Sequence, residues 1–433
     1  MASMLRSLGG IGRILVQCWP ALLAWYLGGS VVRAAVLALA APIGPQSALA
    51  ALLIVPVAVL ARLISYIGMF LVVRRAMRAY GEIAAGDVAF TSMKDAASEF
   101  ITVLSASILP FFAVYTLIGG LSADLSEYAR AAFRYSLGSE NNVVDVGNGP
   151  LVLAVVIVAF GGRMLLKKFG PRLPRWVAIA EIYLEATWVF VALSALSALF
   201  GDFQEWINNR QIVFWFNSAR DALTDLWTPI QLAITGIDWL VPAMLQLVLL
   251  PLAWLLVAGV VYTRALSTAV QERIVSVRLE ARMRTRVAKL PTRVAKQLHL
   301  FSDEWEDIGG PIAMGGRMIA RAGAVNLAIF VLLYGALFAL SQWSTRWAAG
   351  LIGANDLGFW VTFFPALSLA IAAVVEPVRI ALLAVMFDWC LRRWRDRQLR
   401  VSSREPTAPT GTTAQTETTA QTGTTAQAAE QTV

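Results

Sequence analysis

The sequence predicts an all-α, polytopic integral membrane protein with about eight transmembrane helices and both termini in the cytoplasm. Two observations carry this. The chain of 433 residues is 58% apolar and only 15% charged, whereas an ordinary soluble domain is roughly 25% charged, so the excess apolar surface must face lipid or other buried helices. Eight long apolar runs also alternate with polar segments whose positive charge falls almost wholly on one side of the weave. A bilayer's hydrocarbon is about 30 Å thick and takes about 20 helical residues to cross. Helices are the expected solution, because open sheet edges have no water to satisfy them in lipid. The runs also lack the alternating polarity of a barrel strand.

The transmembrane domain is expected over 1–401, with spans at 14–32, 48–73, 100–121, 150–166, 176–200, 239–263, 322–344 and 359–389. The string "LALAA" at 37–41 resembles a secretory cleavage site. The apolar stretch before it is too long and is interrupted by Arg33, so the segment counts as a first span ending at Val32, with Arg33 an ordinary interface residue. Pro42 and Pro45 favour a late start for the second span, which places Arg62 inside it. An earlier start would leave Arg62 at the boundary. Arg163 shortens the fourth span and is expected to snorkel to the interface. The fifth span carries Glu181 and Glu185, and the eighth carries Glu376, Pro377 and Arg379.

Orientation follows from loop charge. Of 36 Lys and Arg residues, 28 gather on the side of the two termini, while the other side holds five: Arg130, Arg134, Arg210, Arg220 and Arg346. The side rich in Lys and Arg is the cytoplasmic one, which fits a multi-pass protein of the inner (plasma) membrane of a bacterium. On the opposite side, residues 122–149 read as a polar loop ending in turn residues, "GSENNVVDVGNGP". Residues 201–238 form an aromatic-rich loop expected to rest on the outer membrane face, or to act as a lid.

Inside, a basic cytoplasmic segment is expected over 264–321, with an amphipathic helix at 264–298 broken at Pro291 between "TRVAKLP" and "TRVAKQL". Arg273, Arg278, Arg282, Arg284, Arg286, Lys289, Arg293 and Lys296 form a face suited to anionic lipid headgroups, worth about 1 kcal/mol per residue near the surface. A solvated inner loop obeying the charge rule is the plainer alternative. Residues 402–433, rich in Thr, Ala and Gln, cannot bury enough apolar surface to order and are expected to be a disordered cytoplasmic tail. The echo of "IVPVAVL" at 54–60 in "LLPLAWL" at 249–255 would suit a four-plus-four duplication.

Charges at membrane depth are the candidate site. An unpaired charge there costs about 2.5–3.5 kcal/mol on insertion scales, so Arg62, Glu181, Glu185, Glu376 and Arg379 are expected to form an intramembrane network. Arg62 lies roughly 18 Å inward of Arg74, and Glu185 about 15 Å inward of Arg175. Matched depth suggests that Arg62 pairs with Glu185 or Glu376, while Glu376 and Arg379 can pair within one helix. Carboxylates in such a layer would load and release a cation or proton; a purely structural ion-pair network satisfies the same cost.

Other chemistry is sparse. Cys18 and Cys390 lie at opposite ends of the chain and His299 is the only histidine, so no metal site or cofactor is expected. There is no GxxxxGK[ST] phosphate loop for ATP. The acidic "DEWED" at 303–307 reads either as a Mg²⁺-pyrophosphate site or as a helix N-terminus capped by Asp303. The leading expectation is a permease-like transporter or channel; the rivals are a non-catalytic scaffold and, more weakly, a lipid-modifying enzyme. Membrane lipids and envelope proteins are the expected partners, nucleic acid is not, and the sequence names no small-molecule substrate.

Overall fold

A computed structural model describes residues 2–84, 93–136, 150–169, 177–226, 228–265, 316, 319 and 323–402. The basic face from Arg273 to Lys296, His299, "DEWED" and the tail beyond Ser402 lie outside the described residues. Among those described, every regular element is a helix: α1 (Ala2–Ala40), α2 (Ala48–Arg74), α3 (Arg78–Ala84), α4 (Met93–Leu117), α5 (Gly120–Ser136), α6 (Pro150–Phe169), α7 (Val177–Asn208), α8 (Gln211–Leu226), α9 (Thr228–Arg264), α10 (Ala324–Ile352) and α11 (Leu357–Ser402). Contacts divide the chain at Trp394, and the bundle described below belongs to the first unit, Met1–Trp394.

Among the described residues seven helices are long and apolar enough to cross a membrane, and the protein is therefore an all-α polytopic membrane protein. The remaining apolar helix is α6, whose apolar stretch runs only from Val152 to Leu166. Helix limits follow local chemistry. Ser47 caps α2, its hydroxyl accepting the Ala50 N–H at 3.3 Å. Gly119, at φ 75°, ends α4 in a conformation that L side chains avoid and turns the chain into α5. Where described, the segments expected as outer loops are helical: α5 covers 122–136, and α7, α8 and α9 cover 201–208, 211–226 and 228–238. The aromatics Phe203, Trp206, Phe214, Trp215 and Phe216 of the latter are exposed.

Helix α2 is the most buried span and packs on α1, α4, α5, α7 and α9. Its closest partner is α1. A Cβ built on Gly29 would meet Ser65 Cβ at 2.4 Å, and one on Gly68 would meet the Trp25 ring at 2.3 Å. Small residues let two membrane helices approach and gain dispersion energy where lipid gives no hydrophobic drive. Gly29→Val should therefore push α1 off α2 and lower stability by about 1–3 kcal/mol, read as a lower melting temperature of the detergent-solubilised protein; an unchanged melt would show that the crossing is slack.

One end of the bundle is clamped by polar contacts. Asp388 accepts the backbone N–H groups of Ala79 and Tyr80 at 2.8 and 3.1 Å and so caps α3 from α11. The Tyr80 hydroxyl donates to the Ala265 carbonyl at 2.7 Å, Arg13 donates to the Ala76 carbonyl at 2.8 Å, and Arg74 pairs with Glu99. This basic end holds α1, α2, α4, α9 and α11 together. At the opposite end α11 loosens: it is mostly exposed from Leu357 to Ala370 and buried from Ile380 to Leu391.

Candidate functional site

At that looser end, the last turns of α1, the face of α5 and the first half of α11 bound a vestibule of about 1530 Å³. Tyr26, Arg33, Arg62, Asp124, Glu127, Arg130, Arg134 and Ala372 line it, with Trp360 and Phe364 on the α11 side. Its charged centre is Asp124, a carboxylate only 1% exposed. Arg33 donates to Asp124 Oδ1 at 3.0 and 2.5 Å through Nε and Nη2 and also pairs with Glu127. The Tyr115 hydroxyl donates to Asp124 Oδ2 at 2.7 Å, and Arg62 donates in turn to that hydroxyl. Arg62 lies 3.8 Å from Asp124 Oδ1. Each charged oxygen thus receives a charge-assisted bond, the condition under which a buried carboxylate is tolerated.

This corrects two expectations. Arg33 is no plain interface residue: α1 runs on to Ala40, so Arg33 sits inside the helix and turns to α5. Arg62 pairs with neither Glu185 nor Glu376; its carboxylate is Asp124, on a segment that the sequence suggested was a loop. Helix α5 brings Asp124 inward because Leu121, Asp124, Tyr128 and Ala132 share its buried face.

Below the vestibule lies a second group. Glu376 and Arg379 pair within α11, as their spacing suggests, and Tyr66 joins them: Arg379 Nη2 donates to its hydroxyl at 2.8 Å, and that hydroxyl donates to Glu376 Oε2 at 3.3 Å. The Arg379 guanidinium also lies over the Trp254 ring, 4.7 Å from its centroid, a cation–π contact that offsets desolvation. Tyr66 is one turn below Arg62 on α2, so the two share a face. One face of α2 therefore carries a polar track from the vestibule floor to the Glu376–Arg379 pair.

The third charge pair stands apart. Arg163 on α6 meets Glu185 on α7 at 3.3 Å, and the Ser105 hydroxyl donates to Glu185 at 3.2 Å. Both charged side chains are buried, so Arg163 does not snorkel to an interface. Glu181, one turn away and half-buried, belongs to none of these groups. Among the described residues no cluster of His, Cys, Asp and Glu could hold a metal ion. No protein-family model, curated protein or solved structure matches the chain.

Proposed function

We propose that this chain is a permease-like protein of the inner membrane, in which an anion enters the vestibule from the side opposite the basic end and meets Arg62. The observation that carries the reading is that Arg62, its side chain 33% exposed, faces an open cavity in whose wall Arg33 and the buried Asp124 lie. Arg62 supports it further. A guanidinium has five N–H donors, and Arg62 uses one on Tyr115 with no other hydrogen-bond acceptor among the described residues. The track through Tyr66 to Glu376 and Arg379 supplies the next polar station.

The test is flux through the full-length protein reconstituted in liposomes. The panel is chloride, phosphate, small organic carboxylates and a short-chain fluorescent phosphatidylglycerol. At least one should cross faster than through protein-free liposomes and be slowed at least tenfold by Arg62→Gln. No acceleration of any would overturn the reading.

Access has its own measurement. Cys18 and Cys390 are both buried, so background labelling should be low. Ser30→Cys and Ala372→Cys, both on the vestibule wall, should react with a membrane-impermeant thiol reagent added from outside the cell. Protection of both would mean a vestibule closed to water.

A second reading, a non-catalytic scaffold, is favoured by one observation: the Arg163–Glu185 pair is enclosed, both side chains less than a tenth exposed. A scaffold would bind envelope proteins or lipids and show no flux in the same assay.

A further inference from the structure

The vestibule is neither a purely polar funnel nor a purely apolar groove. Four arginines and two carboxylates line it. Arg33 and Arg62 share Asp124 and Glu127, so that group is electrically neutral. Arg130 and Arg134 remain, both exposed and without an ion pair to any described residue. They are four residues apart on α5, which places both guanidinium groups on one face. The wall facing them is apolar: Leu357 is 79% exposed, Val361 56% and Phe364 48%. Trp360 and Leu369 continue it toward Ala372 at the floor.

A small hydrophilic anion would match the arginines and leave that wall without a partner. An apolar solute would match the wall and leave the arginines uncompensated. A molecule with an acidic head and a hydrocarbon tail satisfies both. Such molecules are abundant in one place, the bilayer that surrounds these helices. α1 and α11 flank the vestibule, and each exposes apolar side chains away from it, Val31, Val32 and Leu39 on one and Phe363 and Val374 on the other.

We infer that the vestibule takes up an anionic membrane lipid sideways from the bilayer, its phosphate held by Arg130 and Arg134 and its chain laid along Trp360 and Phe364. The inference rests on the permease reading for what happens afterwards, namely passage of the head to Arg62, but the binding step stands by itself. Arginine is suited to the head because its planar fork pairs with two phosphate oxygens at once. The aromatic wall is suited to the chain because it offers large apolar area at little conformational cost.

The test uses the purified full-length protein in nanodiscs of phosphatidylcholine, titrated with phosphatidylglycerol of matched chains and read by native mass spectrometry of the released complex. Wild type should prefer phosphatidylglycerol at least tenfold. Arg130→Gln with Arg134→Gln should remove most of that preference; both side chains are exposed, so the fold should tolerate the change. Trp360→Ala with Phe364→Ala should weaken both lipids alike.

Equal binding of the two lipids by wild type would overturn the inference. So would an unchanged preference in the arginine variant, which would place the lipid elsewhere, as on the basic segment 264–298. Inorganic phosphate displacing phosphatidylglycerol at millimolar concentration, with no effect of the aromatic variant, would make the ligand a free oxyanion and also overturn it. Each result leaves the Arg62 flux assay to judge the permease reading separately.

Discussion

Asp124→Ala should be the most damaging single substitution at the vestibule. It removes the carboxylate that Arg33 and Arg62 share and the acceptor of the Tyr115 hydroxyl. Removing one partner of a buried ion pair costs about 3–5 kcal/mol, because the other charge stays where it cannot be solvated. The lower part of that range applies here, since the Arg62 side chain is 33% exposed to the cavity and Glu127 still serves Arg33. The expected result is a sharp fall in membrane yield and in melting temperature. Asp124→Asn, which keeps an acceptor for Tyr115 but not the charge, should fall between. Adding Arg33→Leu to Asp124→Ala should recover part of the loss by removing one stranded charge. An Asp124→Ala protein that melts like wild type would show that the arginines find water instead, and that the group does not hold α5 in place.

The same residue shows why the site was only partly legible in the sequence. Long apolar runs fix spans by length alone, and the class follows from them. Asp124 was hidden because the polar and turn residues beyond Leu137 made the whole of 122–149 look like loop. The signal that could have found it was present: Leu121, Leu125, Tyr128 and Ala132 recur at helical spacing, with Asp124 on the same face. Arg163 was misplaced for a different reason. Depth along a helix ranks partners only where the faces also meet: α2 packs on α7 too, but Glu185 turns to α6, the helix that precedes α7 in the chain. Neighbours in sequence usually pack together, so the nearest arginine by topology outranked Arg62 by depth. The pair that sequence did give, Glu376 with Arg379, needed no tertiary information, since three residues along one helix suffice. Tyr66 and Trp254, which complete that group, come from α2 and α9, and no local pattern links them to it.

The second large effect is expected there. Glu376→Leu leaves Arg379 facing Tyr66 and the Trp254 ring with no carboxylate, in a side chain only 18% exposed. The expected loss is about 3–5 kcal/mol, close to that of Asp124→Ala, and the variant should accumulate poorly in the membrane. The double variant Glu376→Leu with Arg379→Leu discards both charges. Replacing a buried pair by apolar residues of similar size is often neutral or stabilising by about 1–4 kcal/mol, so folding should return to the wild-type level or above. Pro377 stays in both, so the backbone discontinuity it makes by withholding an N–H is common to them. Folding and function then separate. If the polar track along α2 carries the anion onward from Arg62, the double variant should be as stable as wild type while flux in reconstituted liposomes falls to background, because no charged station remains below the vestibule floor. Full stability together with undiminished flux would confine the path to the vestibule and leave Glu376 and Arg379 as a packing device that fixes α11 against α2 and α9.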